Sequence, residues 1–490
     1  MEVFWEAVKN ILEFISGHII IWNMLFAIVI VFFERRDPKS VWAWLLLLVF
    51  IPFLGFAFYL LLGQDMHKRK LFRMKEVEDR MSEAIRRQEK QIKTKELEQQ
   101  DENLEGYTDL IMYNLESCGS VLTDDNDIDY FTDGNEKFGA LLKDLEHAEN
   151  FIHMQYYIIK DDVLFSRIEK VLEEKAAQGV QVRVLFDAMG ARYVRQSVWK
   201  RLNAKGIQTA EFFPALLRRF HPRINYRNHR KIVVIDNRVA YVGGFNVGKE
   251  YIDLDEKFGH WRDTHLRIRG SAVQGLQIRF ILDWNYAAKE NLLQQPGLFE
   301  GFEGGSRDSA AVQIISSGPD HTGKQIRDNY LRLITKAEKS IYIQTPYFIP
   351  DEAIFNALVI AARSGIEVNI MIPCMPDHPF VYWATYSYVG DMVMAGARCY
   401  TYNNGFLHSK GMIVDGRALC YGTANMDIRS FGLNFEVNAI VYNRKKAQEM
   451  EEIFREDLKV CKQITKDIYT SRKLQIRMKE QGCRLLSPLL

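Results

Sequence analysis

The sequence predicts an α/β fold built twice over and preceded by an apolar helical hairpin, and three observations carry that expectation. Two apolar runs stand near the N-terminus, a strand, helix, glycine and strand pattern occurs twice after residue 130, and one spacing of His, Lys, Asp, Gly and Asn occurs twice in the same register. At 490 residues the chain is long enough for two or three domains, each with its own core.

The hairpin comes first. From Ile15 to Phe33 His18 is the one ionisable side chain that could carry positive charge, and from Ser40 to Gly63 there is no charged residue at all. Each run is close to the roughly 20 residues that cross a bilayer as a helix. Only "ERRDPKS" separates them, so residues 1–66 read as a membrane hairpin with helices at about 12–33 and 40–63. The first run lacks the basic start and small-residue cleavage site of a signal peptide. Arg35, Arg36 and Lys39 lie in the connecting loop, whereas Lys9, Lys68, Arg69, Lys70, Arg73 and Lys75 flank the outer ends. That bias puts both termini on the cytoplasmic side of a multi-pass protein of the cell membrane, with the outer cluster attracting anionic headgroups. Residues 67–124 follow; their stretch Met74 to Glu102 is dense in mixed charge and reads as an exposed helical spacer.

The repeat begins near residue 125. "NFIHMQYYIIKDD" leads through a helix-like stretch to "AAQGVQVRVLFDAMG", and "SIYIQTPYFIPDE" leads through a similar one to "AARSGIEVNIMIPCMPD". An apolar strand, about four helical turns, a glycine and a second strand form the βαβ pattern of a parallel or mixed sheet. Two like domains are therefore expected, at 125–300 and 308–490. Each ends in the same motif. His229 is followed at +2, +7, +14 and +17 by Lys231, Asp236, Gly243 and Asn246, and His408 at the same offsets by Lys410, Asp415, Gly422 and Asn425. A single H-x-K-x4-D arises by chance in an ordinary chain with odds on the order of a few per cent. Two with matching Gly and Asn do not.

Bulk properties narrow the chemistry. A net charge of +1 gives no global case for nucleic-acid binding, and no extended basic stripe runs along the motif-bearing segments. The six cysteines are scattered without C-x-x-C spacing, which argues against a zinc site and for reduced thiols. On a strand, period-two alternation places the His and Lys of one motif on one face. Imidazole beside ammonium suits a phosphate: the amine neutralises non-bridging oxygens, while the imidazole attacks phosphorus or moves a proton. Two such motifs supply a nucleophile and a general acid for in-line displacement. Metal binding is the rival reading, but lysines stand where further ligands would be needed, so no metal and no cofactor is expected.

With these motifs the sequence resembles the phospholipase D superfamily, whose paired H-x-K-x4-D-x6-G-x2-N motifs match at every named position. The resemblance implies two phospholipase D-like α/β domains packed as a pseudo-two-fold pair with one shared site, a phosphohistidine intermediate and no metal. Carried over, His229 is the nucleophile and His408 the acid and base. Lys231, Lys410, Asn246 and Asn425 bind phosphate oxygens, and Asp236 and Asp415 brace the motif rather than touch substrate. A carboxylate is needed to hold the far nitrogen of each histidine. Asp263 in "HWRDTHLRIRG" and Glu436 in "LNFEVNAIVYN" occupy the places where the family has such an acid; the plain alternative is an exposed charge at a strand start.

A closer resemblance is to bacterial cardiolipin synthases of this type. It rests on "ERRDPKS", "LLLGQ", "NYRNHRKIVVIDNRVAYVGGFNVGKEY", "WRDTHLRIRG", "QTPYFIPD", "GTANMDIRSFGLNFEVN" and the closing "LLSPLL", covering nearly the whole chain. It implies transfer of a phosphatidyl group from one phosphatidylglycerol to a second, giving cardiolipin and glycerol. The implied partners are phosphatidylglycerol and membrane lipid, not nucleic acid. The mixed basic and aromatic stretches "RRFHPRINYRNH" and "HPFVYWATYSYVG" suit headgroup-level contact, their plain reading being ordinary loop and core aromatics. A membrane-anchored phospholipase D, another phosphatidyltransferase or an anchored nuclease remain alternatives within enzymes, and a scaffold that binds anionic lipid is the alternative outside them. Acceptor alcohol, acyl preference and oligomeric state are not legible in the residues.

Overall fold

The computed structural model describes residues 6, 13–14, 17–33, 38–62, 74–97, 101–214, 225–300, 307–320, 323–485 and 487. The chain divides into two compact units, residues 1–69 with 215–226 and residues 70–214 with 227–490.

The first unit contains α-helices Ile19–Ile28, Pro38–Phe50 and Pro52–Leu62, with a π-helical turn over Val29–Phe33. Among the described residues no helix is long and apolar enough to cross a membrane. This departs from the two uninterrupted spans expected at 12–33 and 40–63, and the causes are local. The π-turn breaks the first run, and Pro52, lacking an N–H, breaks the second. Pro52 also frees the carbonyl of Leu48 four residues earlier. The buried side chain of Asn23 donates to that oxygen at 2.9 Å and to Pro52 O at 3.1 Å, so the break is satisfied from the neighbouring helix. Ile30, Trp44, Leu48 and Tyr59 form a small core, while Phe32 and Phe50 are each 76% exposed and Ile20 and Val49 each 68%. An apolar exterior around so small a core is the reverse of a water-facing bundle. Arg35, Arg36, Lys68, Arg69, Lys70 and Arg73, on which the orientation expectation rests, lie outside the described residues, as does most of "RRFHPRINYRNH".

The second unit is α/β. Its strands are β1 Thr123–Phe131, β2 Phe151–Tyr156, β3 Gln181–Asp187, β4 Gln208–Phe212, β5 Arg227–Asn228, β6 Ile232–Ile235, β7 Val239–Gly243, β8 Trp261–Arg262 and β9 His265–Arg269 in the first half. The second half has β10 Ala310–Ser317, β11 Ser340–Gln344, β12 Phe348–Ile349, β13 Glu367–Pro373, β14 Arg398–Tyr402, β15 Phe406–Leu407, β16 Gly411–Val414, β17 Ala418–Gly422, β18 Met426–Asp427, β19 Asn434–Tyr442 and β20 Cys461–Ile464. One half runs β4-β3-β2-β6-β7-β9-β1 and the other β10-β19-β17-β16-β11-β13-β14-β20; β1 pairs antiparallel with β10, which makes one continuous sheet. Read outward from the β1·β10 pair, the two orders match over seven strands, and β20 is an eighth at the edge of the second half.

The copies are also built by the same local chemistry. Between β2 and β3 the helix Val163–Ala177 is capped by Asp162, whose carboxylate accepts from Leu164 N, and the turn after it is closed by Gly179 at φ 92°. Between β11 and β13 the helix Glu352–Arg363 is capped by Asp351, which accepts from Ile354 N, and Gly365 sits at φ 92°. In both cases the side-chain oxygen satisfies a first-turn N–H and glycine adopts the left-handed conformation at no steric cost. The parallel pairs β2·β3 and β11·β13 that result are buried on nearly every residue.

The charged segment is only partly a spacer. In the helix Met74–Lys93, Gln88 exchanges hydrogen bonds with the main chain of Leu122, 2.9 and 2.7 Å. Beyond it Leu104, Tyr107, Leu110 and Ile111 are buried in the core of the second half, and Asn114 donates to Gln313 at 3.0 Å. The C-terminal helix Leu474–Leu485 likewise docks on the helix Pro379–Ala395, with Arg484 paired to Asp391.

The motif aspartates explain themselves here. Asp236 ends β6 at φ 51° and accepts from the N–H groups of Glu149, Asn150 and Phe151 at 2.6, 2.8 and 2.7 Å. Asp415 ends β16 at φ 56° and accepts from Glu338, Lys339 and Ser340 at 2.9, 2.7 and 2.8 Å. Each ties the hairpin after its motif to the start of the neighbouring strand. Asp236→Ala is predicted to lower unfolding stability by about 2–3 kcal/mol, three main-chain donors, that of Phe151 buried, losing their acceptor. Asp415→Ala, at a more exposed turn, loses less. Denaturant midpoints at unchanged slope check both, and an unperturbed Asp236→Ala midpoint contradicts the bracing role.

Candidate functional site

Two short strand exchanges assemble the site. β5 of the first half pairs parallel with the start of β19, Arg227 beside Asn434 and Asn228 beside Phe435; β15 of the second half pairs parallel with β8, Phe406 beside Trp261 and Leu407 beside Arg262. The main chain continues the register, with His229 N donating to Phe435 O at 2.9 Å and His408 N donating to Arg262 O at 2.7 Å. Each motif histidine therefore stands abreast of an acidic residue from the other half.

The side chains complete that crossing. His229 Nδ1 lies 3.0 Å from both oxygens of Glu436, and His408 Nδ1 lies 2.6 Å from Asp263 Oδ2. A carboxylate only accepts, so Nδ1 carries the proton in both rings and Nε2 keeps its lone pair. Glu436 is itself held by Thr423 Oγ1 at 2.5 Å and Asn434 Nδ2 at 3.2 Å, and Asp263 by Thr264 N at 2.8 Å. Gly244 leaves the room Asp263 needs, since a Cβ there would lie 1.9 Å from the carboxylate. The motif glycines Gly243 and Gly422 allow equally close approach of β7 to β9 and of β17 to β19.

Lys231 Nζ donates to His229 O at 2.7 Å; Lys410 Nζ donates to His408 O and lies 2.6 Å from His408 Nδ1 and 3.7 Å from Asp263. The four motif side chains are nearly or fully buried, and charge governs them. Burial lowers Lys231 to about 7 and Lys410 to about 8, opposed by the carboxylates, and the Lys410 charge lowers Lys231 further. Burial and the Lys410 charge take His408 down to about 4; burial also lowers His229, against the pull of Glu436. Burial alone would raise Asp263 and Glu436, but the adjacent lysine and histidine charges outweigh it and hold both below their ordinary values. Lys410 acts on His229 and Lys231 as well as on its own histidine, so the two motifs form one electrostatic cluster.

The two asparagines differ. Asn246 is committed to protein, its Oδ1 accepting from Ile158 N and its Nδ2 donating to Tyr251 OH, both at 3.1 Å. Asn425 is buried, and its Oδ1 has no hydrogen-bond partner among the described residues.

Residues that motif reading passed over surround the pairs. Arg230 is clamped on Asp283 at 2.7 and 2.8 Å and donates through Nε to the carbonyl of Glu436 at 3.1 Å. Arg262 is clamped on Asp457 at 3.0 and 2.7 Å and donates to the carbonyl of Asp263 at 2.5 Å. Each arginine thus steadies the residue that orients a histidine. Gln155 reaches Asp283 and Gln344 reaches Asp457, both at 2.7 Å. The signal was present: Gln155 and Gln344 stand at matching places in the two copies, and Asp283 is a lone acid in the apolar "RFILDWNY". Tyr157 packs edge-on to His229 with ring centroids 5.0 Å apart, and Trp261 lies 5.1 Å from His408.

One group among the described residues, Asp133, Asp253 and His260, brings three ligand-type atoms within 4.8 Å of one another. One oxygen of each acid serves the main chain, Asp133 capping a helix through Glu136 N and Asp253 taking Trp261 N at 2.7 Å, and the second oxygen of Asp253 accepts from His260 Nδ1 at 2.8 Å. That commitment reads as a loop brace.

Comparison with known proteins agrees with the geometry. The family described as "Cardiolipin synthase, PLD-like domain" matches residues 141–260 and 330–458, and the family described as "Phospholipase_D-nuclease N-terminal" matches residues 21–64. The chain is 48% identical to the major cardiolipin synthase ClsA of Bacillus subtilis over 475 residues, 96% of this chain and 98% of that one. It is 45% identical to a cardiolipin synthase of Listeria welshimeri over 483 residues, 98% and 100% of the two chains. Among solved structures, the phosphatidylserine synthase of Haemophilus influenzae shares the fold, with TM-score 0.58 at 14% identity over 74% of this chain and 95% of that one.

A pH dependence follows from the depressed lysines. Below pH 7 both ammonium groups are charged and attract an anion; above pH 8 binding must also take up protons, so affinity falls. Orthovanadate or inorganic phosphate is predicted to bind more weakly at pH 9 than at pH 7, by up to about tenfold per pH unit per lysine. Calorimetry in buffers of differing ionisation heat checks it, and a pH-independent affinity without proton uptake contradicts it.

Proposed function

The chain belongs to the cardiolipin synthases of the phospholipase D superfamily, and from that membership and the crossed histidine–carboxylate pairs we infer its reaction. It is a phosphatidyltransferase that joins two molecules of phosphatidylglycerol into cardiolipin and releases glycerol.

The observation supporting the mechanism is that each histidine is held at Nδ1 by a carboxylate of the other half, leaving Nε2 of both free for chemistry. In the first step His229 Nε2 attacks phosphorus of one phosphatidylglycerol. The P–N bond forms, the bond to the glycerol oxygen breaks, and His408, which takes up a second proton at Nε2 as the anionic phosphodiester binds, gives that proton to the departing oxygen. Glu436 stabilises the charge that develops on His229. In the second step His408 takes a proton from a terminal hydroxyl of another phosphatidylglycerol, whose oxygen forms the new P–O bond as the P–N bond breaks. One phosphodiester is exchanged for another, so no nucleotide drives the reaction. Lys231 and Lys410 neutralise the non-bridging oxygens, and substrate anion in turn restores their protonation. Asn425 supplies a further polar contact to phosphate, whereas Asn246 is held by Ile158 and Tyr251.

Membrane association fits both the substrate and the first unit. Its exposed Ile20, Phe32, Val49 and Phe50 are suited to acyl chains rather than water. A two-span insertion rests on the summed lengths of 19–33 and 38–62 rather than on any single helix, the longer run rising about 37 Å at 1.5 Å per residue. Cytoplasmic placement of the catalytic halves rests on the loop charges alone.

The test is to incubate the detergent-purified chain with labelled phosphatidylglycerol, a chelator and no nucleotide. Cardiolipin and glycerol in equal amounts are expected, with turnover lowered at least about 10³-fold in His229→Ala and in His408→Ala. Phosphatidic acid as the sole product would make the chain a hydrolase. Unimpaired histidine variants would remove the site.

A further inference from the structure

The two halves match in their motifs and part company beside them. Two residues before the histidines stand Arg227 in one copy and Phe406 in the other; twenty-one after stand Glu250 and Arg429. Arg227 is on β5 next to Asn434 of β19, and Arg429 is in the short helix Ile428–Gly432 that leads into β19. Both guanidinium groups belong to the surroundings of His229, where Arg227 hydrogen-bonds Tyr157 and lowers Arg429 by repulsion, after burial.

Beside His408 a carboxylate stands at the end of the sheet. β11 runs beside β13 with Gln344 at Met371, and beside β16 with Gln344 at Gly411. The residues just past Gln344, just past Pro373 and just before Gly411 therefore emerge at one end of the sheet. They include Tyr347, Asp377, His408 and Lys410. Tyr347 OH donates to Asp377 Oδ2, and the other Asp377 oxygen takes His378 N at 2.7 Å. The carboxylate acts favourably on both His408 and Lys410. In the first half Gln155 stands at Leu185 as Gln344 stands at Met371, so the position six residues on, Asp377, corresponds to Ala191. An acid at this position is particular to the His408 side; the carboxylate at the matching strand end of the first half, Asp187, is taken up by the main-chain N–H groups of Asn228, Met189 and Gly190.

A half-buried carboxylate next to a phosphate-handling centre opposes the charge of the anion, and with one donor on each oxygen Asp377 keeps lone pairs that a substrate hydroxyl can use. In-line displacement puts both the departing and the entering alcohol on the side of phosphorus away from His229, which is the side of His408. We propose that Asp377, steadied by Tyr347, accepts a hydrogen bond from the secondary hydroxyl of the glycerol headgroup while its primary oxygen lies at His408, and so selects a vicinal diol as acceptor. This rests on the transfer reaction inferred above, with His408 as acid and base. The cationic half around Arg227 and Arg429 is left to the phosphatidyl side of the donor.

The test is a competition in detergent micelles. The full chain, with phosphatidylglycerol as donor, is offered equal concentrations of propane-1,2-diol and propan-1-ol, which differ only in the secondary hydroxyl, and the two phosphatidyl alcohols are quantified. The wild-type chain is expected to favour the diol, and Asp377→Ala to lower the diol-to-propanol ratio about tenfold, with a smaller fall in Tyr347→Phe. A ratio is insensitive to the fraction of folded protein. If Asp377→Ala yields neither product, the isosteric Asp377→Asn carries the comparison, a lowered ratio supporting the proposal. An unchanged ratio in the aspartate variants overturns it, as does a wild-type chain indifferent to the second hydroxyl. Both variants inactive toward both alcohols would put Asp377 in the chemistry and overturn the selective role. Transfer with an unaltered ratio refutes Asp377 alone, whereas no transfer by the wild-type chain refutes the reaction and the proposal with it.

Discussion

Everything at the centre of this molecule depends on an exchange: Glu436 of the second half holds His229 of the first, and Asp263 of the first holds His408 of the second. Neither half is chemically complete. A buried imidazole without its carboxylate would be free to adopt the wrong tautomer, and a buried carboxylate without its imidazole and lysine would be costly to keep charged. The exchange makes the fold of one half a condition for the chemistry of the other. The two-residue strands β5 and β15 are what set it up, since a one-residue slip in either register would turn the histidine away from its acid.

The same arrangement explains how phosphate is handled with side-chain charge. Two ammonium groups and two carboxylates are buried together, close to neutral as a set, with the lysines lowered toward 7 and 8. An arriving phosphodiester supplies the negative charge that the lysines lack. The arginine clamps Arg230–Asp283 and Arg262–Asp457 surround this cluster and bond to the carbonyls of Glu436 and Asp263, fixing the acids through their main chain. Removing one partner of such a buried pair costs far more than the pair contributes, which makes these clamps sensitive positions.

Much of this was legible in the residues. The doubled spacing from His229 and His408 named the histidines and lysines, and the βαβ pattern named the strands and helices, because both depend on local sequence. Asp263 and Glu436 were recognisable as acids in comparable places, but which histidine each serves depends on pairing between strands that put residues 207 and 145 apart in the chain together, and no local pattern carries that. The clamps were missed for the same reason. The helix breaks had a different cause: Pro52 stood in plain sight inside an apolar run, and its missing N–H, together with the π-turn at Val29–Phe33, interrupts what hydropathy alone counts as continuous. The carboxylate beside His408 is a third kind of case, since Asp377 follows a strand end and becomes significant only once β11, β13 and β16 are known to open at one end.

The crossing itself is most directly tested by nitrogen NMR of the histidine rings in protein labelled with ¹⁵N-histidine, with resonances assigned through His229→Ala and His408→Ala. The account predicts that Glu436→Gln moves the Nδ1 resonance of His229 and leaves that of His408 in place, while Asp263→Asn does the reverse. Perturbation of each histidine by the acid of its own half would contradict it.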